Sequence, residues 1–479
     1  MDWELPIGEN IFGQMLPDAY AHYRKPLHEA VKIFVRGLSA HRLETIAEEQ
    51  AALPPSATPL ERLIRLAVNC PVLQKLGQTI ARDRNISPSI RKRLQLLESL
   101  PPSIPVETVK NVLTEELGPL HRLEVTLLPA ALAEASVAVV VPFRFSGEKA
   151  PRNGVFKVLK PGIERRLEED LNMLEQVGSF LDNRCDDSGI PHLDYREAFE
   201  LVREKLRYEV RLDEEQRNLL LARQVYKANP RVQVPALFDF CTPRITAMER
   251  VTGQKVTESH SDLNQKHRTA RLIIEALLAH PILSIDRESL FHGDPHAGNL
   301  FSTDDGRLAV LDWSLTGRLF EHERTSIMQI MIGAMESRSE RVAAILAELS
   351  DRRSIDVAAL GSTVSEWISR LEDGHLPGLA WLTGMLDEAV RKAGLRFGAD
   401  FMLFRKTILM VEGIVGDMTG ESGLIDRVLL GEFAMRFFAE LPWRFLMPPF
   451  SRSFATRISN MDVVELMAGF QWRALTKGF

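Results

Sequence analysis

The sequence predicts an α+β protein in which a helical N-terminal part is followed by a strand-rich middle and a second, mostly helical part. Apolar residues recur at helical spacing between about residues 12 and 117, where prolines separate the segments. Short β-branched and aromatic runs follow at 123–128, 136–145 and 154–159, and again at 232–235 and 244–251. Helical spacing dominates from about residue 260, and only one predicted hairpin interrupts it.

These changes of pattern divide the chain into three parts. We expect a helical extension over residues 1–118, a strand-rich part over 119–252 and a helical part over 253–479. Within the strand-rich part, one helix is predicted after Pro161–Gly162 and a second, long one over about Tyr195–Tyr226.

Composition excludes several classes of protein. With 479 residues, 45% hydrophobic and 26% charged, the chain is long enough for more than one packed lobe and is not a disordered or fibrous protein. A net charge of −6 gives no overall attraction for nucleic acid, so no nucleic-acid partner is expected. Three scattered cysteines fit a reducing compartment. We expect no signal peptide and no transmembrane helix, and therefore a cytoplasmic protein with, at most, peripheral membrane contact.

One segment of the helical part has the spacing of a phosphotransfer site. In His292-Gly-Asp-Pro-His-Ala-Gly-Asn299, Asp294 and Asn299 have the D-x-x-x-x-N spacing of a kinase catalytic loop. A polar turn at 302–306 and an apolar run at 308–311 then lead to Asp312, which predicts a hairpin that returns a second carboxylate to the loop. Phosphoryl transfer needs an oriented acceptor and Mg²⁺ held by hard oxygen ligands, so this order of residues predicts nucleotide-phosphate chemistry.

A lysine in the strand predicted at 154–159 is the second informative feature. Lys157 is flanked by apolar residues, and burying its charge is costly unless the charge is paired, although an edge-strand lysine can also extend to solvent. It precedes the catalytic segment, as the phosphate-binding lysine of a kinase does.

Together with two further motifs, these residues resemble the UbiB-like atypical kinases, which include the mitochondrial coenzyme Q kinases. The resemblance covers roughly residues 70–320. Lys75-Leu-Gly-Gln78 is similar to the family's K-x-G-Q motif, and Lys157-Val-Leu-Lys-Pro-Gly-Ile163 is similar to its lysine strand. The resemblance implies a bilobal protein-kinase-like fold with a small β-rich N-lobe, a mostly helical C-lobe and a helical N-terminal extension that carries K-x-G-Q.

The resemblance also implies a role for individual residues, with ATP and Mg²⁺ as cofactors. Glu215 is the expected partner of Lys157, and Glu209 the expected partner of Lys75. The implied catalytic residues are Asp294, Lys157 and Glu215; the nucleotide-binding residues are Ala133, Ala135, Ser136, Lys157, Met248, Glu249 and Val251; the metal ligands are Asn299 and Asp312; and the gating residues are Lys75, Gln78 and Glu209. His292 is expected to organise the loop.

Three positions depart from the family pattern. Leu132-Ala-Glu-Ala-Ser136 is similar to the family's alanine-rich nucleotide loop, but Glu134 stands where a small residue is usual. Arg211 reverses the charge of the family's E-x-D aspartate. Asp213 lies close enough in sequence to substitute for that aspartate. Trp313–Ser314 replaces the usual Phe-Gly after the metal aspartate, and loss of the glycine should restrict movement of this segment.

The resemblance implies an ATP-dependent kinase or ATPase that supports ubiquinone or other isoprenoid-lipid metabolism rather than protein phosphorylation. Two alternatives stay open: a small-molecule phosphotransferase resembling the aminoglycoside and choline kinases, and a nucleotide-binding, pseudokinase-like scaffold.

A C-terminal stripe of aromatic residues is the part of the sequence that could contact lipid. Such a stripe is more typical of a core or a helix–helix seam than of a membrane face, although a lipid or quinone-precursor ligand and peripheral membrane contact are compatible with it. The stripe consists of Phe433, Phe437, Phe438, Trp443, Phe445 and Phe450, interleaved with Arg436 and Arg444.

Overall fold

A computed structural model describes residues 18–81, 104–147, 152–188, 190, 195–258, 262–351, 354–371 and 377–476. The chain forms two compact units. Unit 1 contains the chain up to Gln216 together with Ala236–Arg250, and unit 2 contains Arg217–Pro235 together with the chain from Val251 onward.

Strands occur between Val125 and Phe320, and the described chain before and after them is helical. The helices are α1 (Arg24–Arg36), α2 (Ala40–Ala51), α3 (Pro59–Asn69), α4 (Pro71–Ala81), α5 (Val106–Leu117), α6 (Ile163–Asn183), α7 (Cys185–Ser188), α8 (Tyr195–Glu209), α9 (Leu212–Tyr226), α10 (Leu263–Ile274), α11 (His280–Ile282), α12 (Glu321–Met335), α13 (Ser339–Leu349), α14 (Val357–Ser369), α15 (Leu379–Ala393), α16 (Ala399–Thr419), α17 (Leu424–Arg444) and α18 (Asn460–Thr476). The strands are β1 (Val125–Leu127), β2 (Ala133–Glu134), β3 (Ala138–Phe145), β4 (Arg152–Leu159), β5 (Val232–Gln233), β6 (Ile245–Glu249), β7 (Gly253–Lys255), β8 (Glu288–His292), β9 (Leu300–Thr303), β10 (Leu308–Val310) and β11 (Thr316–Phe320). This mixture confirms the predicted α+β class.

Unit 1 contains an antiparallel sheet with strand order β1-β3-β4-β6, and β2 pairs with β3. Its apolar face packs against α5, where Val109 and Leu113 meet Phe143 and Phe156. Gly154 is required on β4 because a Cβ there would lie 2.2 Å from the ring of Phe143. The centre of β4 is therefore held rigidly between two neighbouring strands.

The N-terminal helices of unit 1 form a second core. Phe34 of α1, Val72 of α4 and Leu171 of α6 belong to one buried apolar cluster. Arg42 of α2 forms a buried ion pair with Asp170 of α6, and the other carboxylate oxygen of Asp170 accepts the Val72 N–H at 3.3 Å. This pair fixes the start of α4, the helix that carries Lys75-Leu-Gly-Gln78.

The prediction of one helix over Tyr195–Tyr226 is wrong, because α8 ends at Glu209 and α9 begins at Leu212. The Arg211 N–H donates to the Tyr208 carbonyl in the intervening turn, and Leu212 is buried with Val137, Ala138 and other apolar residues. Tertiary packing of Leu212 thus breaks a segment whose sequence contains neither proline nor glycine.

Unit 2 contains the predicted hairpin. Strands β9 and β10 pair antiparallel with Leu300 opposite Val310, and Gly306 takes φ +81° in the turn. They belong to a sheet of order β5-β10-β9-β7, and β8 pairs with β11 beside it. The expectation that the hairpin alone interrupts the helices after residue 260 was therefore wrong, because β8 and β11 flank it.

The C-terminal stripe is not a core. Phe438, Trp443, Phe445 and Phe450 are 67%, 67%, 86% and 74% exposed, so the interpretation as core or helix seam is wrong for these four. The first turns of α17 are anchored through the buried Leu424 and other apolar residues, and its end is anchored through the buried Arg444. Within the described ranges, no helix is long and apolar enough to cross a membrane.

Candidate phosphotransfer site

Lys157 lies in the interior of β4, opposite Val140 on β3 and Thr246 on β6. Its Nζ lies 2.8 Å from both carboxylate oxygens of Glu215 in the first turn of α9. The Glu215 side chain is 1% exposed and that of Lys157 13%. The predicted pair is present. Because it is buried, removing either side chain would leave the other charge buried without compensation.

Glu209, the last residue of α8, connects two predicted elements of unit 1. One of its carboxylate oxygens accepts from the Lys75 ammonium of α4, and the other accepts from the Ser136 hydroxyl at 2.9 Å. The predicted contact with Lys75 is thus present, and it extends to the alanine-rich loop. Gln78 lies on the same helix as Lys75; its side chain lies outside the described part of the structure.

The charge reversal at Arg211 lies in the turn between α8 and α9. The Arg211 guanidinium pairs with Glu214 at 2.5 Å, and its side chain is 51% exposed. Asp213 lies in the first turn of α9. The reversal is therefore accommodated at the surface rather than inside the ion pairs of Lys75 and Lys157.

The alanine-rich loop places its unusual glutamate inward. Ala133 and Ala135 are exposed, whereas Glu134 is buried. The Glu134 carboxylate accepts from the Lys160 ammonium at 2.8 Å and from the Ile104 N–H at 3.3 Å. Burial lowers the pKa of Lys160, and Glu134 opposes that shift. The alternation from Ala133 to Ala135 thus leaves both alanine side chains exposed, whereas Ser136 is buried.

Three of the predicted nucleotide-binding residues, Met248, Glu249 and Val251, form the segment that resembles the family's hinge. Met248 and Glu249 are the last residues of β6. Met248 pairs with Val155 of β4, and the Glu249 N–H donates to the Ala236 carbonyl at 2.7 Å. The Glu249 carboxylate accepts the Ala236 N–H at 3.2 Å in return. Val251, the third predicted hinge residue, directly follows unit 1 in the chain.

His292 bonds both ends of the segment that contains Asp294 and Asn299. It is fully buried at the end of β8, where its Nδ1 accepts the Asp294 N–H at 3.2 Å. Its Nε2 lies 3.0 Å from the Leu311 carbonyl and must therefore carry the ring proton. Burial lowers the pKa of His292, which favours this neutral form. The His292 ring thereby connects the loop at Asp294 to Leu311, which directly follows β10.

Asp294 and Asn299 are joined through the loop backbone. The Asn299 amide nitrogen donates to the Asp294 carbonyl at 3.2 Å, which directs the amide oxygen the other way. The Asp294 carboxylate also lies 2.8 Å from the ammonium of Lys406 on α16. This partner is not predicted from the sequence, because 112 residues separate the two positions.

Asp312 follows the hairpin with φ +53°, a left-handed conformation that is uncommon for a residue with a side chain. Its Oδ1 accepts the Ser314 N–H at 3.3 Å. The Leu311 N–H donates to the Asn299 carbonyl at 2.8 Å, so the hairpin brings the chain before Asp312 alongside Asn299. A strained residue held by its surroundings is typical of a functional position.

Trp313 is a core residue. It is fully buried, its Nε1–H donates to the Val310 carbonyl at 3.1 Å, and its ring meets His292 edge to face at 4.9 Å. The Asn218 side chain of α9 donates to the Trp313 carbonyl at 3.0 Å. The tryptophan thus fixes the backbone directly after Asp312, which agrees with the expected loss of movement.

The donor atoms fit a magnesium site that is completed by phosphate. Asn299 supplies an amide oxygen and Asp312 a carboxylate, both hard ligands. Over the residues described, no group of three or more His, Cys, Asp or Glu side chains is arranged to hold a metal by itself. Mg²⁺ in phosphotransfer sites is commonly held by one or two carboxylates together with substrate phosphates, and the donor chemistry of Asn299 and Asp312 is compatible with that pattern.

Comparison with known proteins gives the family. The model of the ABC1 atypical kinase-like domain matches residues 96–346, just over half of the chain. The chain belongs to this family. The α+β fold described above is accordingly that of a kinase-like domain, and the UbiB-like resemblance is confirmed.

Individual relatives are similar at a moderate level. An uncharacterised aarF domain-containing, chloroplastic protein kinase of Arabidopsis thaliana is 27% identical over 62% of this chain and 56% of its own. The probable protein kinases UbiB of Haemophilus ducreyi and Pasteurella multocida are each 26% identical over 72% of this chain, and over 65% and 68% of their own. The chain thus spans between about half and two thirds of the length of these relatives.

Among solved structures, the complex of Rv3197 with erythromycin from Mycobacterium tuberculosis is similar to this chain. The two chains are 17% identical, and the matched part covers 80% of this chain and 88% of the Rv3197 chain, with a TM-score of 0.48. Similarity of this extent supports no conclusion about a ligand.

Proposed function

We propose that the protein is a Mg²⁺-dependent, ATP-binding atypical kinase or ATPase that supports ubiquinone or other isoprenoid-lipid metabolism rather than protein phosphorylation. The observation that carries the proposal is the buried pair of Lys157 and Glu215. A lysine fixed by a helix glutamate in the interior of a strand has the arrangement that holds nucleotide phosphates in kinases.

The remaining residues take roles consistent with that pair. Ala133, Ala135 and Ser136 would line the nucleotide loop, and the backbone of Met248, Glu249 and Val251 would meet adenine. Asn299 and Asp312 would hold Mg²⁺, which neutralises phosphate charge when bound. Asp294 would orient the acceptor hydroxyl or a water molecule.

The contact network of Glu209 supports a substrate other than protein. Glu209 holds both Lys75 of the extension and Ser136 of the nucleotide loop. In UbiB-like kinases this extension covers the position of a protein substrate, and we propose that Lys75, Gln78 and Glu209 gate access in the same way here. A small lipid or quinone-precursor ligand fits a covered site better than a polypeptide does.

ATP turnover by the purified protein tests the proposal. It should be measured with and without Mg²⁺, detergent-like lipid and phenolic quinone-precursor analogues. We expect Mg²⁺-dependent turnover that Asp312→Asn lowers by roughly a hundredfold or more, since metal-held charge is lost. Asp305→Asn is the matched control, because Asp305 is a carboxylate in the turn of the same hairpin and pairs with Arg307.

Other outcomes would select the alternatives. Nucleotide-dependent thermal stabilisation with flat rates under every condition would favour a scaffold. Rapid phosphorylation of an aminoglycoside or an amino alcohol would favour a small-molecule phosphotransferase.

We further propose that this is a cytoplasmic protein that contacts a membrane surface peripherally. The C-terminal apolar patch, defined as Phe438, Trp443, Phe445, Leu446 and Phe450, supports this, because each of its side chains is at least 67% exposed. Contiguous exposure of large apolar side chains commonly marks an interaction site. The nearby Arg444 is buried against Phe437 and Phe454, so apolar contact would dominate over attraction to anionic headgroups.

Vesicle co-sedimentation tests this contact. Replacing Trp443, Phe445 and Phe450 together by serine should abolish binding to cardiolipin-containing vesicles. The matched control replaces Ile285 and Val357, which are similarly exposed but lie elsewhere. Equal binding by both variants and the wild type would contradict the assignment.

A further inference from the structure

Lys406 is fixed next to the catalytic loop by its own helix. On α16, Phe404 packs edge to face against Phe291 of β8 at 5.0 Å, and the Thr407 hydroxyl donates to the His292 carbonyl at 3.1 Å. These contacts lie on both sides of Lys406 in the sequence. The helix therefore has no freedom to slide along the loop.

The same packing leaves no space between the helix and the loop. A Cβ at Gly293 would lie 2.8 Å from a methyl group of Leu403, one turn before Lys406. The ammonium of Lys406 then meets Asp294 Oδ1 at 2.8 Å, with side-chain exposures of 36% and 23%. The backbone thus brings the lysine to the carboxylate directly, unlike a chance pair of long surface side chains.

We propose that Lys406 is a positioning residue for Asp294, an inference that rests on the proposed function. By holding Oδ1, the ammonium fixes the rotation of the carboxylate and hence the direction in which its second oxygen faces an acceptor. The lysine acts through Asp294 and does not itself contact the reacting atoms.

The kinetic test compares Lys406→Met, Lys406→Arg and wild-type protein in the Mg²⁺-dependent ATP turnover assay. Lys406→Met should lower kcat by about 10- to 100-fold, since misorientation of a general base costs that much. KM for ATP should stay within about threefold, because the chemical step and not nucleotide binding is affected. Arginine, which keeps the charge, should recover part of the rate.

Lys392→Met is the matched control. The Lys392 side chain is 38% exposed and pairs with Glu366 and Glu388, so it matches Lys406 in exposure and pairing but lies on α15. Its turnover should equal that of the wild type. If Lys406→Met also turned over within about twofold of the wild type, the positioning role would be wrong.

Chemical rescue separates a local effect from misfolding. Lys406→Cys treated with 2-bromoethylamine regains an ammonium at nearly the original distance, and its kcat should return toward the wild-type value. Wild-type protein treated in the same way controls for alkylation of Cys241, which is half-buried, and of the buried Cys70 and Cys185. A treated variant as slow as the untreated one would count against the proposal.

A measurement without turnover tests the ion pair itself. Competitive acetylation followed by mass spectrometry should show a several-fold higher reactivity of Lys406 in Asp294→Asn than in the wild type, with Lys392 as the internal reference. Unchanged reactivity would overturn the pairing and with it the positioning role. If the wild type lacked Mg²⁺-dependent turnover, the proposed function and the role of Lys406 in it would both fail, and acetylation would still decide whether the two residues are paired.

Discussion

Replacing Glu134 by alanine should destabilise unit 1 strongly, because it leaves the ammonium of Lys160 buried without a partner. The two side chains are only 3% and 7% exposed, so water does not compensate for the lost carboxylate. Breaking a buried pair commonly costs about 3–5 kcal/mol. At pH 7 the lysine can release its proton instead, which limits the electrostatic cost to about 4.6 kcal/mol for a reference pKa near 10.4.

The reciprocal substitution, Lys160→Met, has a smaller maximum electrostatic cost. Lys160→Met leaves Glu134, which can take up a proton at a cost of about 3.7 kcal/mol at pH 7. In the double variant, which carries Glu134→Ala and Lys160→Met, no charge stays buried. Its loss in free energy of unfolding should therefore be well below the sum of the two single losses, with a coupling energy of about 2 kcal/mol or more.

The free energy of unfolding depends on pH with opposite signs in the two single variants. In Glu134→Ala the lone Lys160 has a lower pKa in the folded than in the unfolded protein, so unfolding takes up protons. The free energy of unfolding therefore rises with pH, and the loss should shrink between pH 7 and 9. In Lys160→Met the pKa of Glu134 is raised by folding, so the loss should shrink as the pH falls from 7 to 5.

Urea unfolding followed by far-UV circular dichroism measures these losses. Tryptophan fluorescence is unsuitable because it reports mainly on unit 2, in which five of the six tryptophans lie, namely Trp313, Trp367, Trp381, Trp443 and Trp472. Lys110→Met is the control, since Lys110 forms a similar but exposed pair with Glu107 at 2.9 Å, and its loss should be too small to resolve. A coupling below about 0.5 kcal/mol would refute the reasoning.

Three further substitutions test local features. Trp313→Phe removes the donor to the Val310 carbonyl and leaves a small cavity, so urea unfolding of unit 2 should show a loss of about 2–4 kcal/mol; a loss below about 1 kcal/mol would contradict the burial of that carbonyl. The Leu263 carbonyl and Glu421 raise the pKa of His267, so Glu421→Gln should lower that pKa in an NMR titration, and an unchanged value would exclude the contact. Gly162→Ala should cost about 1 kcal/mol in urea unfolding, because Gly162 takes φ +64° with open space around it, and a neutral effect would count against the left-handed backbone.

The sequence predicted the elements that depend on local pattern. The hairpin between Asn299 and Asp312 follows from a polar turn between two apolar runs, and the strand of Lys157 from its β-branched neighbours. The identity of the partner of Lys157 could not be predicted from local sequence pattern alone. Glu215 lies in a helix rich in acids, and only the resemblance to a family distinguished it from its neighbours.

The interactions that were missed join residues far apart in the chain. Lys406 meets Asp294 through packing of α16 on β8, which no local periodicity encodes. The break at Arg211 was missed because its cause is burial of Leu212 rather than a helix-breaking residue. The pair of Glu134 and Lys160 had a visible signal, since each is a charged residue within an otherwise apolar or small-residue segment and their charges are opposite.

The three departures from the family pattern weaken the case for a scaffold once their contacts are known. Glu134 turns inward to Lys160, so the exposed side of the nucleotide loop keeps its small residues. Arg211 pairs with Glu214 and leaves Glu209 bound to Lys75 and Ser136. Trp313 is fully buried and bonds the Val310 carbonyl, so it holds the backbone that follows Asp312. Each departure is therefore accommodated by contacts within its own unit, and the ion pairs of Lys157 with Glu215 and of Lys75 with Glu209 are present beside them.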